Sequence, residues 1–423
     1  MATTRYRARW VLPITRPPIE NGQLEVVDGR IAAMGRSTGS KTGDIDLGDV
    51  AILPGLVNAH THSELTVCHR RVPYAGSFTD WLQGVMDCTP QRAGNDLLER
   101  SVGEGLARSL TAGTTVVGDI GSGPRVCALW PQAPLHVVGF LEVMGMGTLH
   151  RQRVAADRSV MAAVHLIDEA EASRCATSQP TSLLWLGLTP HAPYSTDQIV
   201  YTKAIEFIRL TGRPICTHLA ETRDEAPFLL SGTGPFREML ERFGLWDGTF
   251  EPPGCSPVHY AQRLGLLDLA PLLAHVNYVS DEDLALLATS NASVAFCPRT
   301  HRFFEHDPHP YEDMLARGIN VCVGTDSLAS NETLSVLDEM RFLRSIDRVL
   351  SDAQILRMGT LAGAVALGIA GEVGSLETGK RADFITVPLA HRGTSEPSAD
   401  VLGGRENVSA VFLAGRHSWK PTS

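Results

Sequence analysis

The chain has 423 residues, 43% hydrophobic and 20% charged, which suffices for a sizeable core in one large domain or two to three ordinary ones. Its formal net charge is −10 and no basic run carries interleaved aromatics. Nucleic-acid binding is therefore disfavoured, because phosphate neutralisation needs clustered Lys and Arg. No apolar run approaches the roughly 18 residues of a membrane helix.

Met1 to Trp10 is polar and arginine-bearing, with no apolar run behind it, so no secretory signal is expected and the cytoplasm is. The 8 cysteines are scattered without a Cys-x-x-Cys pair, a pattern of reduced structural thiols rather than a disulfide framework or zinc ribbon.

Residues from about 5 to 50 read as short alternating segments with turns at Asn21-Gly22, Asp28-Gly29 and Thr42-Gly43. The C-terminus repeats the style around Ala382 to Val387 and Val408 to Leu413. The two ends, 1–54 and 374–423, are expected to form one small composite β-sandwich.

Between them, 55–373 alternates short apolar runs with helix-patterned segments. Candidate strands are the run before His60, Thr114–Asp119, Leu135–Phe140, Leu183–Thr189, Pro214–His218, Leu272–His275, Ser293–Phe296 and Asn320–Asp326. Eight such units predict a (β/α)8 barrel, and their continuous apolar character suits buried parallel strands.

In such a barrel, catalytic side chains stand at the carboxyl ends of strands. The polar residues found there are His60 and His62, His191, His218, His275 and Asp326. In a strand, His60 and His62 would share a face, and two imidazoles so placed can share a divalent metal. An isolated His-x-His is more often a pair of exposed or satisfied histidines. Five strand ends carrying His or Asp argue against that.

The motifs His60-Thr61-His62, Pro190-His191-Ala192-Pro193-Tyr194, His218-Leu219-Ala220-Glu221-Thr222, Ala274-His275 and Gly324-Thr325-Asp326-Ser327 resemble those of the amidohydrolase superfamily. More narrowly, they are similar to its mononuclear-metal deaminases and chlorohydrolases. The resemblance runs from Gly29-Arg30-Ile31 to Gly379–Asp383. It implies a barrel with a composite β-sandwich, and one Zn²⁺ (Fe²⁺ as the alternative) held by His60, His62, His218 and Asp326. It further implies that Glu221 shuttles a proton from an activated water to the substrate, that His275 orients that water, and that Asp326 accepts a proton. A homodimer is also implied. Binuclear relatives bridge their metals with a lysine at the end of the fourth strand. Lysine occurs here only at 41, 203, 380 and 420, none of them there, which favours one metal.

Substrate contacts are expected from His191, Glu64, Trp81, Arg299 and Ser327. Cys297-Pro298-Arg299-Thr300-His301-Arg302 departs from the Ser-Asn usual in relatives at this point. It suits either a carboxylate-binding cluster or a loop packed by Phe303 and Phe304. Trp81 reads as pocket wall or helix core, and Glu64 as a pocket acid or a solvated one. The segment after Glu221 looks most like aminofutalosine deaminases, whose substrate carries a benzoate and belongs to menaquinone biosynthesis. The expected activity is therefore hydrolytic deamination of an aminated purine nucleoside, 6-amino-6-deoxyfutalosine first. The alternatives are another C–N or C–Cl hydrolysis on an N-heterocycle, as in guanine or triazine hydrolases, and a non-catalytic scaffold. The last would have lost ligands, and none is lost.

Overall fold

The computed structural model describes residues 3–39, 42–89, 95–147, 153–175, 182–347, 349–391 and 393–420. All eight apolar runs are strands: β6 (Leu56–Thr61), β7 (Thr114–Gly121), β8 (His136–Val143), β9 (Leu184–Pro190), β10 (Cys216–Leu219), β11 (Leu272–His275), β12 (Ser293–Phe296) and β13 (Asn320–Val323). They form two four-stranded parallel sheets, β6-β7-β8-β9 and β10-β11-β12-β13, each in chain order. The connections carry helices, as parallel neighbours require. The helix Gln198–Thr211 is typical. Asp197 caps it by accepting the Ile199 amide, left-handed Gly212 ends it, and Val200, Tyr201, Ala204, Ile205 and Ile208 are buried at helical spacing. Lys203 lies on this helix, paired to Glu206 at 2.7 Å.

The two sheets touch along two seams. On one, the Leu188 amide donates to Pro214 O (3.3 Å) and the His218 amide to His191 O (2.8 Å). On the other, the amides of Thr325 and Asp326 both donate to His60 O, at 3.1 and 3.0 Å. Val57, Ala59, Val116, Ile120, Val138 and Phe140 from the first sheet pack in one buried cluster with Cys216, Leu272, Ala295 and Cys322 from the second.

The chain ends build a separate sheet from β1 (Thr3–Val11), β2 (Ile19–Val27), β3 (Arg30–Arg36), β4 (Ile45–Asp46), β5 (Val50–Pro54), β14 (Phe384–Pro388), β15 (Ala410–Leu413) and β16 (Arg416–Trp419). Where a two-sheet sandwich is expected, the strands follow one path, β16-β15-β14-β5-β1-β2-β3, with β4 beside β1. The reason is β5, which pairs antiparallel with β14 along its length and parallel with β1 at Trp10–Ala51 and Val11–Ile52. Beyond that short contact β1 diverges and the sheet folds over. The Tyr6 ring comes within 5.0 Å of Phe384 and 5.3 Å of Phe412. Among the described residues, no helix is long and apolar enough to cross a membrane.

Candidate active site

Period-two alternation carries the inner face of several strands to polar residues at their carboxyl ends. Cys216 in the shared core is followed on the same face by His218, and Cys322 two steps later by Asp326. His60 is the last residue but one of β6, and His62 follows just outside it. The rings of His60 and His62 are 5.0 Å apart, nearly perpendicular.

His60, His62 and His218 offer ligand atoms that all lie within 4.8 Å of one another. Nε2 of His62 is 3.2 Å from Nε2 of His218, and Oδ1 of Asp326 is 3.7 Å from Nε2 of both His60 and His62. Tetrahedral ligands about 2.05 Å from a zinc ion stand roughly 3.3 Å apart, so the spacing fits one such ion. The chemistry of the donors fits as well. Both ring nitrogens of His60 are buried with no hydrogen-bond partner among the described residues. His218 Nδ1 lies 3.1 Å from His191 O, which fixes the hydrogen there and leaves Nε2 its lone pair. Burial lowers the pKa values of His62 and His218 to about 4, so both are neutral ligands at neutral pH.

Glu221 and His275 face each other at 3.4 Å, Oε1 to Nε2. That spacing suggests an ion pair, but burial acts against both charges. It pushes the Glu221 carboxyl well up, reinforced by Asp326 and Glu225, and the His275 imidazole well down. Burial thus disfavours the charged form of each partner. Asp326 is also raised by burial, opposed by the Ser330 hydroxyl that donates to Oδ2 at 2.8 Å. Three of these turns hold non-glycine residues in the left-handed region: Ala220 (φ 50°), His275 (φ 72°) and Asp326 (φ 54°). Strain of this kind persists where surrounding contacts over-determine the backbone.

A cavity of about 600 Å³ opens over this cluster. His62, Glu64, Trp81, His191, His218, Glu221, His275, Asp326 and Ser327 all line it, so the structure brings these expected residues together. Trp81 answers to both readings, since it lines the cavity while packing 4.7 Å from Phe304. Glu64 is buried rather than solvated. Arg299 is not part of the cavity wall. Pro298 opens a short helix, Pro298–Phe303, that turns Arg299 away, and its guanidinium donates to Thr333 Oγ1 at 2.8 Å. Arg299 and Arg302 line a different depression, with Arg70 and Phe303. Thr300 is buried against Ser330, and His301 contacts Asn277, whose amide donates to Glu221 O at 2.8 Å.

The sequence reading missed Glu142, Ser122 and Ser195 in the cavity and Glu225 beneath Glu221. Glu142 was legible as the charged end of the apolar run Leu135–Phe140, had that strand been extended by one period.

The amidohydrolase family model matches residues 51–417. The chain belongs to the amidohydrolase family, and it is a hydrolase of carbon–nitrogen bonds. It is 30% identical over 394 residues to a 5-methylthioadenosine/S-adenosylhomocysteine deaminase of Moorella thermoacetica, covering 90% of this chain and 84% of that one. It shares its fold with an adenosine deaminase of Xanthomonas campestris solved with zinc, at 23% identity and TM-score 0.80, over 98% of this chain and 92% of that one. It shares it equally with Helicobacter pylori aminofutalosine deaminase, at 22% identity and TM-score 0.80, over 98% and 100%.

Proposed function

We propose that this amidohydrolase removes ammonia hydrolytically from an adenosine-like nucleoside, with one divalent ion, Zn²⁺ before Fe²⁺, held by His60, His62, His218 and Asp326. The observation that carries the reading is the Glu221–His275 pair, 3.4 Å apart beside the ligand cluster. When bound, the metal supplies Lewis acidity that lowers the pKa of a water. Glu221 carries a proton between the attacking water and a ring nitrogen of the heterocycle. His275 aims Nε2 at the same point and holds the water's oxygen in line. Asp326, steadied by Ser330 through Oδ2, leaves Oδ1 toward the histidines as the second proton acceptor. A purine bearing a 6-amino group matches this machinery, because leaving as ammonia requires protons on both ring and exocyclic nitrogen.

The relative from Moorella supports a 5′-substituted adenosine. 6-Amino-6-deoxyfutalosine remains a candidate on the fold likeness, without the support Arg299 was expected to lend it. We also read the two parallel sheets as halves of one closed (β/α)8 barrel, on the strength of the two hydrogen-bonded seams and the core they share. The experiment is ammonia release by zinc-loaded protein from adenosine, methylthioadenosine, adenosylhomocysteine, 6-amino-6-deoxyfutalosine, guanine and a chlorotriazine. Release from an adenine nucleoside is expected. Chloride release alone would move the assignment to another leaving group.

A further inference from the structure

The chemistry above uses one side of the cavity. Along β6, β7 and β8 lies a second polar group that it leaves idle. Val138 and Phe140 of β8 point into the shared core, and the same alternation carries Glu142 into the cavity wall. Val116 and Ile120 of β7 lead likewise to Ser122. Glu64 follows β6, and the Ser122 hydroxyl donates to its Oε2 at 3.0 Å.

The Glu142 side chain is only 9% exposed, and its Oε1 lies 3.9 Å from His191 Nε2. Among the described residues it makes no hydrogen bond. Keeping a carboxyl buried without a partner is costly, and the cost is met where a ligand supplies the missing bonds. We propose that Glu142, with Glu64 and Ser122, forms the subsite that binds the vicinal hydroxyls of the substrate's glycosyl ring. The inference rests on the nucleoside reading above.

Two adjacent carboxyl groups match two adjacent hydroxyls, each able to donate and accept. They match a cation less well. Burial and the neighbouring Glu64 raise the Glu142 pKa to about 8, so at neutral pH Glu142 adds no charge and has a hydrogen of its own to donate. The location is also suitable. The His191 ring is 4.8 Å from that of the proposed ligand His218, so the subsite lies one imidazole from the reacting end. Beyond it Met86, Met144 and Met146 offer an apolar, adaptable wall for whatever the 5′ position carries.

The test compares adenosine with 2′,3′-dideoxyadenosine on zinc-loaded wild type and on Glu142→Ala and Glu142→Gln, with bound zinc measured in each. A site built to bond hydroxyls rejects the analogue lacking them, so wild type should prefer adenosine by about 100-fold or more in kcat/KM. Glu142→Ala should lose most of that preference, through adenosine alone, while its rate on the dideoxy compound stays within about threefold of wild type. Glu142→Gln, which keeps a donor and an acceptor, should recover part of it. Wild type acting equally on both nucleosides, or Glu142→Ala slowing both alike at full zinc, would overturn the subsite and leave the deaminase reading intact. Zinc-loaded wild type releasing ammonia from none of the adenine nucleosides, 5′-substituted ones included, would overturn the deaminase reading, and the subsite with it.

Discussion

Glu225 holds Glu221 by its backbone: one carboxylate oxygen accepts the Glu221 amide at 2.6 Å and the other the Ala220 amide at 2.9 Å. With Ala220 at positive φ, this clasp fixes the turn that aims Glu221 into the cavity. Removing it should misplace a proton carrier without touching a ligand. Misplacement by about an ångström can cost 100-fold, so Glu225→Ala should lower kcat by roughly 10- to 100-fold at unchanged zinc content. A variant with wild-type kcat would show that the turn holds itself.

Glu221 and His218 should fail in different ways. His218→Ala removes a donor from a cluster spaced for one ion, and zinc should be lost on dialysis. Glu221→Gln keeps the shape and loses the transferable proton, so zinc should stay while turnover drops by about 10²- to 10⁴-fold. A Glu221→Gln enzyme at wild-type rate would remove Glu221 from the mechanism.

Glu142 predicts a pH dependence with a definite sign. The groups facing it are Glu64, His191 at 3.9 Å, and Tyr194, all lining the same cavity. Burial first, then Glu64, raises its pKa from 4.5 to about 8. The acid form therefore persists through neutrality and is lost as pH rises past about 8. In the proposed subsite that loss removes the hydrogen Glu142 donates and adds a negative charge against the diol, so kcat/KM for adenosine should fall on the alkaline side. Glu142→Gln should flatten that limb. The same shift means the folded chain binds more protons between about 4.5 and 8, so this group lowers stability as pH rises through that window.

Much of this was legible because strand alternation and metal chemistry are local. His60, His62, His218 and Asp326 each end an apolar run, and a run of four to eight apolar residues closing on a ligand is visible without a fold. Arg299 was misplaced because nothing local says which way a helix of six residues presents its second position. That was decided by Thr333 and Glu339, more than 30 residues away in sequence. The single folded-over terminal sheet depends likewise on β5 pairing at both edges, with β1 near one end of the chain and β14 near the other.

The terminal sheet is tied to β8 through His136 and Asp383. The Leu183 amide donates to His136 Nδ1 at 2.6 Å, so the ring hydrogen is on Nε2, and it is donated to Asp383 Oδ2 at 2.8 Å. Burial alone would raise the Asp383 carboxyl, but His136 and Arg381 hold it below the usual value. That contribution to stability is present above about pH 4 and is lost as pH falls through the depressed value. His136→Leu removes that donor and leaves Asp383 buried with Arg381, at 3.1 Å, and the Ala414 amide as its partners. A loss of about 2 kcal/mol in urea unfolding is expected, the usual worth of a buried hydrogen bond to a charged group. An unchanged midpoint would mean that Arg381 suffices.

Gly324 lies where the chain leaving β13 crosses β6, and a Cβ added there would be 2.9 Å from His60 Cβ and 3.0 Å from His60 O. His60 O is also the acceptor for the Thr325 and Asp326 amides, so this seam and the ligand cluster are one piece of structure. Gly324→Ala must push His60 from Asp326. Zinc affinity should fall by about 10- to 100-fold, the usual cost of disturbing what orients a ligand, while the far-ultraviolet circular dichroism is retained. Gly187→Ala makes the control at the other seam, where the added Cβ would meet Pro214 O at 1.9 Å. It should cost stability of about 1–3 kcal/mol or more. Equal zinc affinity in Gly324→Ala and wild type would show that the seam and the metal ligands move independently.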